Sequence, residues 1–200
     1  KGREVKALSP LVTTEYLLFI PKGWTVARYS ETDEAKAFEQ FEKEFPLITK
    51  HLKPFEEAAK IRWDQGDFWW ELRACDYYSE FEKQKIIIPS IVKEPSYSLD
   101  TGLQYGNDKT TIMPINDSKL WLLGLLNSQT VDFYLRSISS TKRGGYFEYK
   151  PIYISSLPIL EPNAATQTQL NDLANQILTQ KQQAPTADTT ALEAEIDVLV

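Results

Sequence analysis

The loop Lys142-Arg143-Gly144-Gly145, with the Tyr146 that follows it, holds the residue types best suited to binding a polyanion. Its two cations can neutralise phosphate, its two glycines let the backbone approach a ligand closely, and the aromatic ring can stack. Proteins contact nucleic acid with this combination of groups. A solvated turn ahead of a strand explains the same residues equally well, so composition leaves both interpretations open.

Catalytic side chains are scarcer, because Cys75 is the only cysteine and His51 the only histidine. This count excludes disulfide frameworks and zinc sites built on paired cysteines and histidines. A nucleophilic pair of Cys75 with His51 stays open, but a small buried cysteine is the favoured interpretation. His51 lies between Lys50 and Lys53 and could touch phosphate, although a partly buried helical histidine is favoured.

Cofactor loops and carboxylate pairs add no stronger candidate. The sequence contains neither Gly-x-Gly-x-x-Gly nor a Walker-type loop, the arrangements whose backbone cradles phosphate. Asp64 lies close to Asp67, and Glu56 is next to Glu57, but turns and solvated helix faces explain such pairs in an acid-rich chain. We therefore predict no catalytic residue, no cofactor-binding residue and no metal site.

Composition indicates a globular protein. The 200 residues are 42% hydrophobic and 12% aromatic, which excludes a disordered region and a coiled coil. The longest apolar run, residues 120–126, is much shorter than the roughly 20 residues of a membrane-spanning helix, and residues 1–20 show no signal-peptide pattern. We expect no membrane association and a cytoplasmic location. The net charge of −6 argues against indiscriminate coating of nucleic acid.

The first half of the chain predicts short elements. Aromatic and β-branched residues predict a strand at 15–20, and an apolar spacing of three and four predicts a helix after Asp33, capped by Thr32 or Asp33. A second helix follows Pro46 and should break or kink at Pro54. Residues 68–73 alternate well enough for another strand.

The second half predicts a sheet and longer helices. The β-branched run at 85–89 predicts a central strand covered on both faces, and residues 90–113 predict a hairpin and loop. Asn116 or Asp117 should cap a buried helix that is interrupted at Asn127-Ser128 and continues to about residue 138. An aromatic strand follows at 146–149.

The last forty or so residues change character and predict a helical tail. Leu170, Leu173, Ala174 and Ile177 fall on one face of a helix at 164–183, and a shorter helix fits residues 190–200. We predict an α+β fold with a mixed or antiparallel sheet core, flanking helices and C-terminal helices. The predicted domains are 1–160 for recognition and 161–200 for the tail.

An ordered series of motifs resembles the C-terminal specificity domain of TaqI-like modification enzymes over roughly residues 1 to 160. Each motif is short, and the order and spacing of the whole series carry the resemblance. The series comprises Pro46, Lys50-His51-Leu52, Arg62, Trp70-Glu71-Leu72-Arg73, Phe81-Glu82, Lys85-Ile86, Pro89, Leu125-Leu126-Asn127-Ser128, Phe133-Tyr134, Arg143-Gly144-Gly145 and Leu157-Pro158-Ile159.

The resemblance implies a target-recognition domain. Such domains belong to adenine-specific DNA methyltransferases, many of them fused to an endonuclease in type IIG or similar restriction-modification enzymes. The methyltransferase domain of that family has an Asn-Pro-Pro-Tyr-like motif and a glycine-containing loop for S-adenosylmethionine, and neither occurs in this sequence. The expected partners are therefore double-stranded DNA and a catalytic methyltransferase domain of the same parent chain, which would hold the S-adenosylmethionine.

Within this hypothesis, cationic side chains would contact phosphate while a few polar loop residues read base edges in the major groove. Arg73 and Lys85 rank last, because both could instead neutralise internal carboxylates. In order of preference, the DNA-binding candidates are Lys142, Arg143, Gly144 and Gly145, then Tyr105, Asn107 and Lys109, then Arg73 and Lys85.

Two alternative function classes are a protein-protein interaction module and an independent hydrolase. The leucine spacing in the 164–200 helices is compatible with a protein-protein interaction module that docks a partner in a multi-subunit complex. For an independent hydrolase, the sequence offers no convincing set of acid, base and nucleophile. Binding to duplex DNA that weakens with salt would separate recognition from assembly.

Overall fold

In the computed structural model, which describes residues 5–11, 15–102 and 104–200, the chain divides into two units. One unit is Glu15–Asp76, which we call the aromatic unit. The other combines Lys1–Thr14 with Tyr77–Val200, and we call it the sheet-and-helix unit. Leu103, inside the loop predicted at 90–113, lies outside the described residues.

Short helices make up most of the regular structure of the aromatic unit. The predicted cap is confirmed, because the Asp33 side chain accepts from the Lys36 N–H at 3.0 Å. Pro54 lies in the 3-10 turn Lys53–Phe55, which ends the helix begun at Pro46, so the predicted break is confirmed as well. The helices are α1 (Trp24–Tyr29), α2 (Glu34–Glu44), α3 (Pro46–Leu52) and α4 (Glu56–Lys60).

Stacked rings form the core of this unit. The Trp70 ring lies 4.8 Å from Phe68 and 5.8 Å from Phe41 between centroids, each pair inclined by 13°. Trp69 packs edge-on against Trp70 at 5.5 Å. Consecutive residues 68, 69 and 70 are all buried, and their backbones form bends and turns instead of a ladder with a neighbouring strand. The predicted strand at 68–73 is therefore wrong, and the segment is a series of turns.

Side chains hold these turns in place of a sheet ladder. The Arg62 guanidinium donates to the carbonyls of Trp69 at 2.8 Å and Glu71 at 3.0 Å. The fully buried Glu71 carboxylate accepts from the N–H groups of Gly23, Thr25 and Asp67 at 2.9 to 3.1 Å. Glu71 thus fixes the first turn of α1 and the 64–67 turn together.

The strand predicted at 15–20 is also wrong, because those residues, all of them described, are irregular. The Ile20 carbonyl accepts from the Leu72 N–H at 2.7 Å, but Tyr16 at the other end is 98% exposed. A strand is paired with a neighbouring strand along its length, and residues 15–20 have no strand assignment.

The sheet-and-helix unit contains two antiparallel sheets. In the first, the central strand β1 (Lys85–Pro89) is buried at every residue, which confirms the predicted central strand. The second sheet carries the aromatic strand predicted at 146–149. The strand orders are β3 (Ser98–Asp100), β1 and β4 (Thr110–Pro114) in the first sheet, and β2 (Ile91–Val92), β6 (Tyr146–Glu148) and β5 (Thr141–Lys142) in the second.

Five α-helices pack with these sheets around an aliphatic core. Ser128 ends the first of them and caps the next by accepting from the Val131 N–H, so the predicted interruption is confirmed. Asn116 is the N-cap of the 3-10 turn Asp117–Lys119 ahead of this helix, but its side chain makes no capping hydrogen bond, and the Trp121 N–H donates to Asn171. The helices are α5 (Trp121–Asn127), α6 (Gln129–Ile138), α7 (Pro151–Ile154), α8 (Ala164–Gln183) and α9 (Thr190–Leu199).

Both tail helices are confirmed, and their apolar faces belong to the main core. Leu170, Ala174, Ile177 and Ile196 are buried among the side chains of α5 and the sheets. Of the leucines that suggested docking of a partner, Leu170 and Leu173 are therefore buried inside the chain, and Leu178, Leu192 and Leu199 pack partly buried against the same core. The α+β fold class is confirmed, and the division at residue 160 stays a prediction. No helix in the described ranges is long and apolar enough to cross a membrane.

Candidate nucleic-acid interface

The predicted loop closes a tight hairpin between β5 and β6. Lys142 pairs with Tyr146 across the strands, so Arg143, Gly144 and Gly145 form the turn. Gly144 and Gly145 have φ values of 83° and 78°, in the left-handed region that side chains with a Cβ rarely adopt. A Cβ on Gly145 would meet nothing within 4 Å, so backbone conformation, not space, requires glycine there.

Arg136 of α6 holds the hairpin from one side. Its guanidinium lies over the Phe147 ring at 4.8 Å from the centroid and donates to Asp132 at 2.6 Å and to the Lys93 carbonyl at 2.6 Å. A cation over a ring and two charge-assisted hydrogen bonds restrict the guanidinium strongly. The strand that carries Phe147 is therefore fixed relative to α6.

Two tyrosines hold the base of the hairpin. The buried Tyr149 hydroxyl donates to the second oxygen of Asp132 at 2.7 Å, and its pKa is raised by burial and by that hydrogen bond. Tyr153 of α7 shares a 2.7 Å hydrogen bond with Ser140, which precedes β5. The turn therefore projects from a base anchored to α6 and α7.

Glu148 organises the cations beside the turn. Its carboxylate lies 3.1 Å from the Lys142 Nζ and 3.1 Å from the Lys150 Nζ, and these hydrogen bonds, first that of Lys150, lower its pKa. Arg143 at the tip is exposed and makes no hydrogen bond or ion pair with any described residue. Sequence reasoning missed Lys150, whose place beside Lys142 follows from the register of the hairpin.

The second group of candidates lies before β4. Tyr105 stacks on Phe81 at 5.2 Å and donates to Glu82 at 3.1 Å, and burial followed by that hydrogen bond raises its pKa. Asn107 and Lys109 are exposed in a turn that the Asn107 side chain closes by accepting from the Lys109 N–H at 3.0 Å.

Ser90 brings the second group close to the first. Its N–H donates to the Lys109 carbonyl at 2.9 Å, and its carbonyl accepts from the Tyr149 N–H at 2.8 Å. One residue thus joins the 107–109 turn to the base of the hairpin. The side chains of Lys142, Arg143, Asn107 and Lys109 are all exposed, as a contact with DNA requires.

Within the third group, Lys85 is not at the surface of its unit. Lys85 is fully buried, and its ammonium binds Asp100 and the carbonyls of Phe81 and Lys83. It neutralises an internal carboxylate, which is the alternative that the sequence left open, and we remove it from the interface. Arg73 is exposed but belongs to the aromatic unit, whereas the hairpin belongs to the other.

The remaining chemical candidates stay scattered. His51 is exposed on α3 with its ring 5.9 Å from Phe55, so the partly buried position favoured for it is wrong. Cys75 is half-buried. Over the residues that the structure describes, no three histidine, cysteine, aspartate or glutamate side chains are grouped closely enough to hold a metal ion.

The chain matches a known family model. A family model for the TaqI-like C-terminal specificity domain matches residues 1–159, which include the hairpin and the 107–109 turn. The matched range ends before α8 begins. No curated protein shows significant similarity to the chain.

Proposed function

Because the chain belongs to the family of TaqI-like C-terminal specificity domains, we propose that it reads its DNA target through the hairpin at 141–150. Membership in this family supports a role in DNA target recognition within a restriction-modification enzyme. We propose further that the parent protein is an adenine-specific DNA methyltransferase, with or without an endonuclease. The present chain would choose the site, and a catalytic domain of the same parent chain would flip and methylate the base.

The observation that carries this proposal is the exposed Arg143 on a hairpin with a fixed base. A guanidinium that is not neutralised by the protein can bind guanine O6 and N7 together, and its planar fork suits that task. Lys142 and Lys150, as flexible point charges, suit phosphate. Recognition needs both kinds of contact, because phosphate contacts fix the position of the protein on the duplex. A base contact can then distinguish one base pair from another.

The 107–109 turn would supply further contacts. Asn107 presents an exposed amide, the group that reads adenine N6 and N7, and Lys109 can add a phosphate contact. Tyr105 lies half-buried against Phe81 and would support this turn from behind.

The test compares Lys142→Ala with Arg143→Ala, in this chain for DNA binding and in the parent enzyme for methylation. Loss of Lys142 should weaken binding on all sequences and lower the salt slope by about one. Loss of Arg143 should relax preference at one position of the site by about tenfold. Binding is measured as anisotropy of labelled duplexes at several salt concentrations, and preference as methylation of substrates that each carry one changed base pair.

The matched control is Lys119→Ala, which removes an exposed lysine from the Asp117–Lys119 turn of the same unit. It should change neither the salt slope nor the preference. If both hairpin variants behave like this control, the hairpin is not part of the interface, and the search moves to Tyr105, Asn107 and Lys109.

We also propose that the chain alone binds no S-adenosylmethionine and transfers no methyl group. Its sequence lacks the base pocket motif and the cofactor loop of the family's catalytic domain. Incubation with labelled S-adenosylmethionine and DNA of mixed sequence should give no incorporation. Labelled adenine above background, from protein free of host enzyme, would contradict this part of the proposal.

A further inference from the structure

The strongest unexplained feature beside the hairpin is a carboxylate among the cations that should bind DNA. Glu148 lies on β6, the central strand of its sheet, where it pairs with Ile91 of β2. Its N–H donates to the Ser140 carbonyl at 3.0 Å. The residue is therefore held by this backbone hydrogen bond on the β5 side and flanked by β2 on the other, and its side chain has a fixed starting point.

The Glu148 side chain is only 13% exposed, and each of its oxygens takes one lysine. Lys142 binds Oε2 and Lys150 binds Oε1, both at 3.1 Å. The two lysine side chains keep 41% and 56% of their surface exposed. A phosphate can therefore reach both ammonium groups, but only in competition with a carboxylate that is already in place.

This competition has different consequences for different DNA sequences. Affinity for DNA of any sequence depends on how many phosphates the protein neutralises. Glu148 cancels one of the two lysine charges and so reduces this general attraction. It does not touch Arg143 at the tip, whose contact with a base would depend on sequence.

We infer that Glu148 is a specificity-determining residue, which restrains Lys142 and Lys150 so that the hairpin binds tightly only where Arg143 also finds its base. The inference rests on the proposed function. Glu148 contacts the lysines and not the DNA, so it acts as a positioning residue. Its removal should make the protein bind DNA more tightly and choose its site less well.

The test is Glu148→Gln, which keeps the shape of the side chain and removes its charge. Affinity for a random-sequence duplex should rise about fivefold, the scale of one exposed charge contact, and the salt slope should steepen. The ratio of target to random-sequence affinity should fall, and the parent enzyme should methylate altered sites more readily. An unchanged or lower affinity for random-sequence DNA, with the protein folded, would overturn the inference.

Two further variants separate the effect of the carboxylate beside the two lysines from the effect of removing one negative charge anywhere on the chain. Glu195→Gln makes the same charge change at an exposed position of α9 and should leave the ratio of target to random-sequence affinity unchanged. An equal effect there would also overturn the inference. In a Lys142→Ala background, Glu148→Gln should have a smaller effect, because one of the restrained lysines is gone. If Glu148→Gln folds poorly, Glu148→Thr supplies a β-branched neutral residue suited to a strand.

Failure of the inference differs from failure of the proposed function. If wild type binds duplex DNA and Arg143→Ala relaxes its preference, but Glu148→Gln matches wild type, only the inference fails. If wild type shows no salt-dependent binding to duplex DNA, both fail.

Discussion

The two units of the chain hold their backbones in different ways. In the aromatic unit, Arg62 and the buried Glu71 bind backbone groups of irregular segments directly. In the sheet-and-helix unit, strand ladders and the aliphatic faces of α5 and α8 carry most of the backbone order. A single polar side chain therefore has more structural consequence in the aromatic unit, while single apolar side chains matter more in the other.

The largest effect should come from Glu71→Ala. It leaves three N–H groups of the α1 start and the 64–67 turn without their acceptor, and we expect a loss of about 4 kcal/mol in the free energy of unfolding. Urea unfolding followed by tryptophan fluorescence measures it. The exposed Glu57→Ala should behave like wild type. A loss below about 1 kcal/mol would mean that water replaces the carboxylate. It would contradict the statement that a polar side chain holds the backbone of the aromatic unit.

A core substitution in α8 tests whether apolar packing stabilises the sheet-and-helix unit. Ile177→Ala removes a fully buried side chain and should cost about 3 kcal/mol. The exposed Thr179→Ala on the same helix should cost little, with both measured by urea unfolding followed by circular dichroism. A small loss for Ile177→Ala would show that α8 is a dispensable tail, as the division at residue 160 would suggest.

The hairpin allows a test with a smaller expected effect, in which a side chain is forced into the backbone conformation of Gly145. Gly145→Ala places a Cβ at a φ of 78° and should cost about 1 kcal/mol of stability through backbone strain alone. Gly145→Asn should cost less, since asparagine tolerates this conformation better. Equal thermal midpoints for the alanine variant and wild type would show that the turn can adopt another geometry.

The smallest effect concerns an exposed contact of the aromatic unit. Hydrogen bonds from Arg28 and then Tyr29 lower the pKa of Glu44 from its ordinary 4.5 to about 2. A carboxyl group with a lowered folded pKa contributes stability above its unfolded pKa, and loses it as the pH falls. Glu44→Gln should therefore abolish a small part of the acid-induced loss of stability between about pH 4.5 and 2. Glu57→Gln should lose stability with falling pH as wild type does. Thermal unfolding across this pH range measures the stability of both variants.

Sequence patterns predicted the sheet-and-helix unit better than the aromatic unit. The run at 85–89 is built on three consecutive isoleucines, and the apolar spacing of α8 matches a helix, so each pattern favours one kind of element. Residues 68–70 are aromatic, and aromatic residues occur both in strands and in packed turns. The choice between them depended on Arg62 and Glu71, whose backbone partners no local pattern indicates.

The candidate site was predicted in the same uneven way. Lys142 to Gly145 stood out because their types are unusual together in one short loop. Lys85 was included wrongly in the interface, because a lysine in a β-branched run has the same type whether it points to solvent or to Asp100. Lys150 was missed because the register of the hairpin and the shared carboxylate of Glu148 bring it near Lys142, and no local pattern indicates either.

By itself, the sequence determined the helix starts at Asp33 and Pro46, the central strand and the glycine turn. These features depend on interactions between residues that are near in sequence, so their types and spacing are enough. Only the tertiary structure decided that residues 68–73 form turns, that Lys85 is internal, and that Glu148 restrains two lysines. Burial and charge pairing join residues from different segments, and their free energies depend on which groups the folded chain places in contact.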